Sequence, residues 1–323
     1  MPVALDKKPS AYCFDAGSRF CPCELASLGE CVACSLLRGE DQCRCGWSGV
    51  CVYQEFLRSG KAIPPRRKES QVPVLARTDI QCSADRRAFL LEVAVPDDMA
   101  NWCSFPGSFV LLRPKGSPDR FNVPVSVMDA RDGRLKVAIE VRGPKTVALE
   151  QSCLEGRQVT VVGPYWSGLQ GERLSKHRGD KVLGFAKGIG QAPLVHAARY
   201  VVTGGGYFKA LIGPGDLGAV FSEELLIEEG ASVEVLPKAK DHNVAALYSE
   251  LCRGGYGLLM SAGPDKQHRS LSDLISSLEA PPAFAWTSNL TVVCAEGICG
   301  ACLAGGLRGC KADIERFEGG AMA

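Results

Sequence analysis

Four cysteines near the C-terminus set the chemical question. The stretch Thr291 to Cys310 reads Thr-Val-Val-Cys-Ala-Glu-Gly-Ile-Cys-Gly-Ala-Cys-Leu-Ala-Gly-Gly-Leu-Arg-Gly-Cys. It carries Cys294, Cys299, Cys302 and Cys310. The first three follow Cys-x4-Cys-x2-Cys, the plant-type [2Fe–2S] spacing, and a fourth cysteine comes after them. A two-iron centre needs four thiolates and a tight loop to wrap them round it. Glycines at 297, 300, 305, 306 and 309 let the backbone take positive φ and come close to the sulfides. Zinc is a competing occupant, which the x4 spacing and the glycines disfavour. Four unrelated buried thiols are the remaining alternative.

A second group fills residues 13–51. Cys13, Cys21, Cys23, Cys31, Cys34, Cys43, Cys45 and Cys51 make up half of the sixteen cysteines. The segment has few large apolar residues, so metal binding would have to supply its folding free energy. Eight thiolates can close two four-ligand sites, or one with spares. The pair Cys31 and Cys34 suits either zinc or a [4Fe–4S] cluster. The C-terminal motif argues for electron traffic and so favours iron–sulfur, with a structural zinc knuckle as the alternative.

Composition bounds the rest. A disulfide framework needs an oxidising compartment, and the polar stretch Met1 to Tyr12 does not resemble a signal peptide. The cysteines are therefore expected to be metal ligands in a reducing cytoplasm. A formal net charge of +1 gives no reason to invoke nucleic acid or a membrane surface. No apolar run approaches the ~20 residues of a membrane-spanning helix. A length of 323 residues predicts two or three domains.

The elements that must position these groups can be read along the chain. Residues 1–60 form the cysteine-rich module, and 61–71, with two prolines and Arg66-Arg67-Lys68, read as a linker. From 72 to 165 short apolar runs alternate with turns. Strands are expected at Val72–Arg77, Ala88–Val95, Ser108–Arg113, Val123–Met128, Leu135–Val141 and Gln158–Val162, which together suggest a small antiparallel barrel. From 180 to 288 strands alternate with helices. Strands are expected at Lys181–Ala186, Tyr207–Ile212, Val233–Leu236, Tyr256–Ala262 and Ala283–Thr287, with helices at Ala192–Val201, Ala219–Glu229, Val244–Cys252 and Leu271–Leu278. That rhythm predicts a parallel sheet covered by helices. Residues 289–323 hold the cysteine loop and the tail.

Two turns in the second half carry ligand chemistry. Gly188-Ile-Gly190-Gln-Ala192-Pro193 joins a strand to a helix, where backbone N–H groups and the helix end can meet a phosphate. A tight turn without a ligand is the plainer account of it. Gly263-Pro264 follows the fourth strand, at the edge where open α/β sheets bind ligands. A simple turn again explains it equally well. In the first half stand Asn122-Val-Pro124-Val-Ser126, Gly143-Pro-Lys-Thr146 and Gly163-Pro164-Tyr165-Trp166. Cys82, Cys103, Cys153 and Cys252 read as ordinary buried thiols. The four histidines form no spaced pair and are assigned no role.

In their order and spacing these motifs resemble the ferredoxin-reductase-like electron-transfer subunits. That group includes the dihydroorotate dehydrogenase electron-transfer subunit and the small subunits of NAD(P)H-dependent ferredoxin oxidoreductases and sulfide dehydrogenases. The resemblance covers roughly residues 72–310. It implies an FAD-binding barrel, an NAD(P)-binding α/β domain and a C-terminal [2Fe–2S] loop. Pro124 and Ser126 would contact the flavin, and Gly143 and Thr146 would open a helix onto the FAD pyrophosphate. Gly188, Gly190, Ala192, Pro193, Gly263 and Pro264 would bind the pyridine nucleotide. Cys294, Cys299, Cys302 and Cys310 match the cluster ligands, and the N-terminal module resembles an extension of some members. Asn122 and Val123 stand where the family places an arginine, with Arg120 displaced, and Lys187 stands where the nucleotide turn has glycine.

The expected function follows. Electrons pass between NAD(P)H, FAD and iron–sulfur clusters to larger flavin or iron–sulfur subunits of a hetero-oligomer, with ferredoxin or pyridine nucleotide as exchange partner. Electron bifurcation is open as a further capacity. The alternatives are a zinc-bearing adaptor with a degenerate nucleotide site, and the electron-input subunit of a dihydroorotate dehydrogenase.

Overall fold

The computed structural model describes residues 68–238, 240–293, 295, 301–304, 307 and 308. Alternation of apolar and polar residues builds its first half. β1 (Lys68–Ile80), β2 (Ala88–Ala94), β3 (Phe109–Pro114), β4 (Val123–Arg131), β5 (Arg134–Glu140) and β6 (Gln158–Tyr165) close into an antiparallel barrel. Its strand order is β1-β2-β5-β4-β3-β6. On β4 the side chains of Val123, Val125 and Val127 enter the barrel core with Phe89, Leu91 and Leu135. The period of two then sends Pro124 and Ser126 to the outer face. There Pro124 lies opposite Leu111 and Ser126 opposite Phe109. Two helices serve the barrel, α1 (Asp97–Cys103) and α2 (Pro144–Ser152). β1 begins at Lys68, within the stretch that its prolines and basic residues mark as a linker.

The second half is a sheet of six strands. It contains β7 (Leu169–Gly171), β8 (Lys181–Lys187), β9 (Tyr207–Gly213), β10 (Ser232–Val235), β11 (Leu258–Ala262) and β12 (Ala283–Thr287). Their order is β10-β9-β8-β11-β12-β7. The expected parallel sheet is corrected in one respect. β7 pairs antiparallel with β12 at the edge, so the sheet is mixed. A three-residue strand carries too little pattern to be read from sequence. The other five strands are parallel. Helices α3 (Gln191–Thr203), α4 (Glu223–Glu228), α5 (Lys240–Arg253) and α6 (Asp265–Ser276) connect them. β11 is buried along its whole length, as expected of a central strand covered on both faces.

The two halves share a core. Met128 and Ala138 of the barrel are buried with Leu194, Ala197, Ala198 and Val201 of α3. At the rim of this contact Arg199 bonds Asp129 of β4 at 2.6 Å and Glu229 at 2.6 Å. Arg131 adds bonds to Asp129 at 2.8 Å and to Glu229 at 3.1 Å. Buried His196 lies 2.6 Å from the Ser104 carbonyl of the α1–β3 loop. Among the described residues no helix is long and apolar enough to cross a membrane.

Candidate functional site

The order β10-β9-β8-β11-β12 makes the chain leave β8 toward one side and return to the other. The strand order therefore reverses between β8 and β11, and ligands of open α/β sheets bind outside the carboxyl ends at that point. Three loops converge there. The first follows β8, where Gly188 takes φ +55° and a short 3-10 turn leads into α3. The second follows β9, where Gly215 takes φ +57°. A Cβ on Gly215 would lie 2.8 Å from the Gly188 nitrogen. The third is the Gly263-Pro264 turn after β11. Gly190 has an ordinary helical φ, so closeness alone fixes its identity. A Cβ there would meet the Ala262 carbonyl oxygen at 2.4 Å.

Gln191 fastens this corner. Its side-chain Nε2 donates to the carbonyls of Gly213 and Ala219 at 3.2 and 2.9 Å. Its Oε1 accepts from the Phe221 N–H and the Ser222 hydroxyl, both at 3.1 Å. Ala192 and Pro193 are buried in the first turn of α3, where they pack rather than project. The 3-10 turn runs straight into α3, so the Gln191 N–H bonds back to the Gly188 carbonyl, and Pro193 has no N–H. Lys187 lies with its Nζ 5.2 Å from the Phe185 ring centroid.

Behind the Gly263-Pro264 turn sits a buried polar chain. Ser261 Oγ lies 2.8 Å from His268 Nδ1, and Gln267 Nε2 donates to the same hydroxyl at 3.1 Å. Burial pushes His268 down to about 4, against the opposing pull of Asp265, so its ring is neutral near pH 7. Among the described residues His196 and His268 have buried rings, and the sequence marked neither. Nothing in spacing distinguishes a histidine that will be buried.

On the barrel, α2 packs against β3 and reaches the residue before β4 through Lys145. Gly143 is its N-cap, and a Cβ there would have nothing within 4 Å. Thr146 Oγ1 accepts from the N–H groups of Arg142 and Gly143 at 2.9 and 3.0 Å. The first intrahelical bond runs from the Val147 N–H to the Gly143 carbonyl. The N–H groups of Lys145 and Thr146 therefore have no partner in the helix. Lys145 also donates from Nζ to the Asn122 carbonyl at 3.3 Å, two residues before Pro124. Thus a cation stands near the start of β4, although the arginine expected there is missing. Arg113 does not substitute for it. Its guanidinium is buried and bonds Glu69 at 2.6 Å, Asp119 at 3.2 Å and Asn122 Oδ1 at 3.0 Å. Lys145 was legible only as part of Gly143-Pro-Lys-Thr146, and the sequence did not single it out.

The cysteines divide. Cys302 is buried ahead of a short hairpin, β13 (Leu303–Ala304) with β14 (Leu307–Arg308). Cys294, Cys299 and Cys310 lie outside the described residues, as do Cys13, Cys21, Cys23, Cys31, Cys34, Cys43, Cys45 and Cys51. The described neighbours show where the C-terminal cysteine segment is anchored and where the described chain begins. Ala295 is buried against Phe109, Leu111 and Tyr165 on the outer face of the barrel. Phe109 and Tyr165 stack there with centroids 5.1 Å apart. Lys68, where the chain enters β1, pairs with Gly163 of β6, two residues from Tyr165. Of the four thiols read as buried, Cys103 and Cys153 are, and burial pushes each up to about 12. Cys82 is half-buried. Cys252 is exposed on α5, which corrects that reading. Its helical neighbours at the i−4 and i−8 positions, Tyr248 and Val244, are exposed too.

No protein-family profile and no curated protein matches this chain. Solved structures do. An NADH-dependent reduced ferredoxin–NADP oxidoreductase, described for flavin-based electron bifurcation, aligns with TM-score 0.57 and 18% identity over 76% of this chain and 91% of that one. A mutant ferredoxin-NADP+ reductase from Plasmodium falciparum aligns with TM-score 0.54 and 10% identity over 68% of this chain and 96% of that one. The ferredoxin reductase in carbazole 1,9a-dioxygenase aligns with TM-score 0.52 and 19% identity over 69% and 70%. At such identities the likeness is one of fold, and the fold is that of the ferredoxin–NADP reductase-like proteins.

Proposed function

We propose that this chain is an electron-transfer flavoprotein subunit of a larger oxidoreductase. The observation that carries the reading is the opening of α2, whose Lys145 reaches the residue before β4. Free amides at Lys145 and Thr146, open space at Gly143 and the Lys145 ammonium suit a pyrophosphate. Pro124 and Ser126 line the adjoining outer face, where a flat ring would lie. FAD held there supplies acceptance of a hydride and release of its two electrons one at a time. The loops at Gly188–Gly190 and Gly263–Pro264 seat the pyridine nucleotide between barrel and sheet. Their glycines admit the ligand to backbone that a side chain would cover. Hydride transfer needs no acid or base from the protein, so the neutral buried histidines fit the scheme.

Cys294, Cys299, Cys302 and Cys310 hold a [2Fe–2S] cluster in this reading, and the N-terminal cysteines hold one or more [4Fe–4S] clusters or zinc. The C-terminal cysteine segment is anchored beside β6 at Ala295. That attachment suits a line of centres leading from the flavin to a partner subunit. The similarity to a bifurcating oxidoreductase makes a larger flavin or iron–sulfur subunit the fitting partner.

The test is Cys299→Ser. The variant should retain FAD and its reduction by NADH or NADPH, while transfer to an external one-electron acceptor falls at least a hundredfold. Unchanged iron content and unchanged transfer would overturn the assignment.

A further inference from the structure

The nucleotide turn is bound to the segment that leads into the C-terminal cysteines. Gly263 is held on both of its polar groups, by the last residue of β12 and by a residue just beyond it. Its N–H donates to Thr287 Oγ1 at 3.3 Å. Its carbonyl accepts from Asn289 Nδ2 at 2.6 Å. The same Nδ2 donates to Asp265 Oδ1 at 2.9 Å. Two oxygen acceptors occupy its two hydrogens and fix which way the amide faces. His268 Nε2 lies 3.2 Å from this nitrogen, and its Nδ1 lies 2.8 Å from Ser261 Oγ.

The chain beside Asn289 is tied to the barrel side as well. The Ser288 N–H donates to the Gly168 carbonyl at 2.9 Å, and the Gly168 N–H donates to the Gly107 carbonyl at 3.0 Å. Val292 and Ala295 then pack on the Phe109–Tyr165 face of the barrel. Cys294 stands between them in the chain. One short strap thus touches the nucleotide turn at one end and the barrel face at the other. Because Gly263 is gripped on both sides, a ligand that moves or stiffens it acts on the strap directly.

We propose that Asn289 is a positioning residue that transmits occupancy of the nucleotide turn to the strap carrying Cys294. The proposal rests on the reading of Gly263–Pro264 as a nucleotide site. Asn289 touches no reacting atom. Its part is to make Gly263 and the strap respond together.

Hydrogen–deuterium exchange of the full chain with and without NADH, and separately with NADPH, tests it. In the wild type the effective nucleotide slows exchange in peptides covering 258–268 and in peptides covering 288–295. In Asn289→Ala the first protection persists, the second is lost, and nucleotide affinity weakens about three- to tenfold. Asn289→Asp is isosteric but cannot donate to the two oxygens, and it should behave like Asn289→Ala. The inference is overturned if the strap stays protected in both variants. It is also overturned if the wild-type strap never responds while 258–268 does. Protection of neither segment in the wild type would instead refute the nucleotide site, and the inference with it.

Discussion

Arg199 of α3 and Asp129 of β4 meet at 2.6 Å across the boundary between sheet and barrel. The pair belongs to a four-charge cluster with Glu229 and Arg131. Burial alone would raise the Asp129 pKa, but the Arg199 hydrogen bond and charge, helped by Arg131, hold it below the ordinary value. Glu229 is governed in the same way. In the proposed reading, with the pyridine nucleotide on one half and FAD on the other, this cluster would help to set the distance between them.

Removing the guanidinium should therefore cost stability first. Arg199→Leu leaves two mostly buried carboxylates without their main partner, a loss of about 3 kcal/mol. Urea unfolding of wild type and variant at pH 7.5 measures it. A change below about 0.5 kcal/mol would mean that the shared apolar core alone holds the halves together.

Acid should weaken the fold through its buried histidines. Burial pushes both His196 and His268 down to about 4. For His196 the Ser104 carbonyl and the acids Asp129 and Glu229 oppose that shift while Arg199 adds to it. In the unfolded chain each ring takes a proton near pH 6.5. Between these values the unfolded state binds more protons, so stability falls as pH falls from about 6.5 to about 4. Each histidine contributes a slope of about 1.4 kcal/mol per pH unit in that window. Asp129 and Glu229 act lower. Their folded values are depressed, so their contribution is complete above about pH 5 and is lost on further acidification. Unfolding free energies at pH 7.5, 6.0 and 5.0 check the slope. His196→Gln, which can still donate to the Ser104 carbonyl, should reduce it; an identical slope in the variant contradicts the assignment.

The two proposed ligand sites should separate by mutation. Lys145→Gln removes the cation beside α2 and should weaken FAD binding about tenfold, with nucleotide affinity unchanged. Gly190→Val drives a side chain into the Ala262 carbonyl and should abolish nucleotide binding while flavin stays bound. Equilibrium dialysis of flavin and titration with NADH or NADPH read the two outcomes. Loss of both ligands in Lys145→Gln would contradict the separation.

Short apolar runs were legible as strands. Ala88–Val95 and Ala283–Thr287 were read within one residue of their observed bounds. Failures occurred where tertiary contacts decide. The first residues of β1 are polar, yet they pair with β6 to close the barrel. The helix expected at Ala219–Glu229 is confined to Glu223–Glu228, because Phe221 and Ser222 bond to Gln191 after the left-handed turn at Gly218. α6 starts at Asp265, six residues before the expected Leu271, since its first turn is polar and buries His268 instead of a hydrophobe. α1 hides behind Pro96-Asp97-Asp98, which reads as a turn but places two acids at the positive end of a helix. In the candidate site the glycines were visible as motif. Lys145, Gln191 and Asn289 were not, because each owes its place to a partner far away in the chain.

The central claim is that flavin and iron–sulfur chemistry share this one chain. Anaerobic purification followed by flavin release, iron and sulfide analysis, and EPR of the reduced protein tests it most directly. The account predicts bound FAD together with the rhombic signal of a reduced [2Fe–2S] centre. Zinc in the cysteine sites, with neither flavin nor that signal, would contradict it.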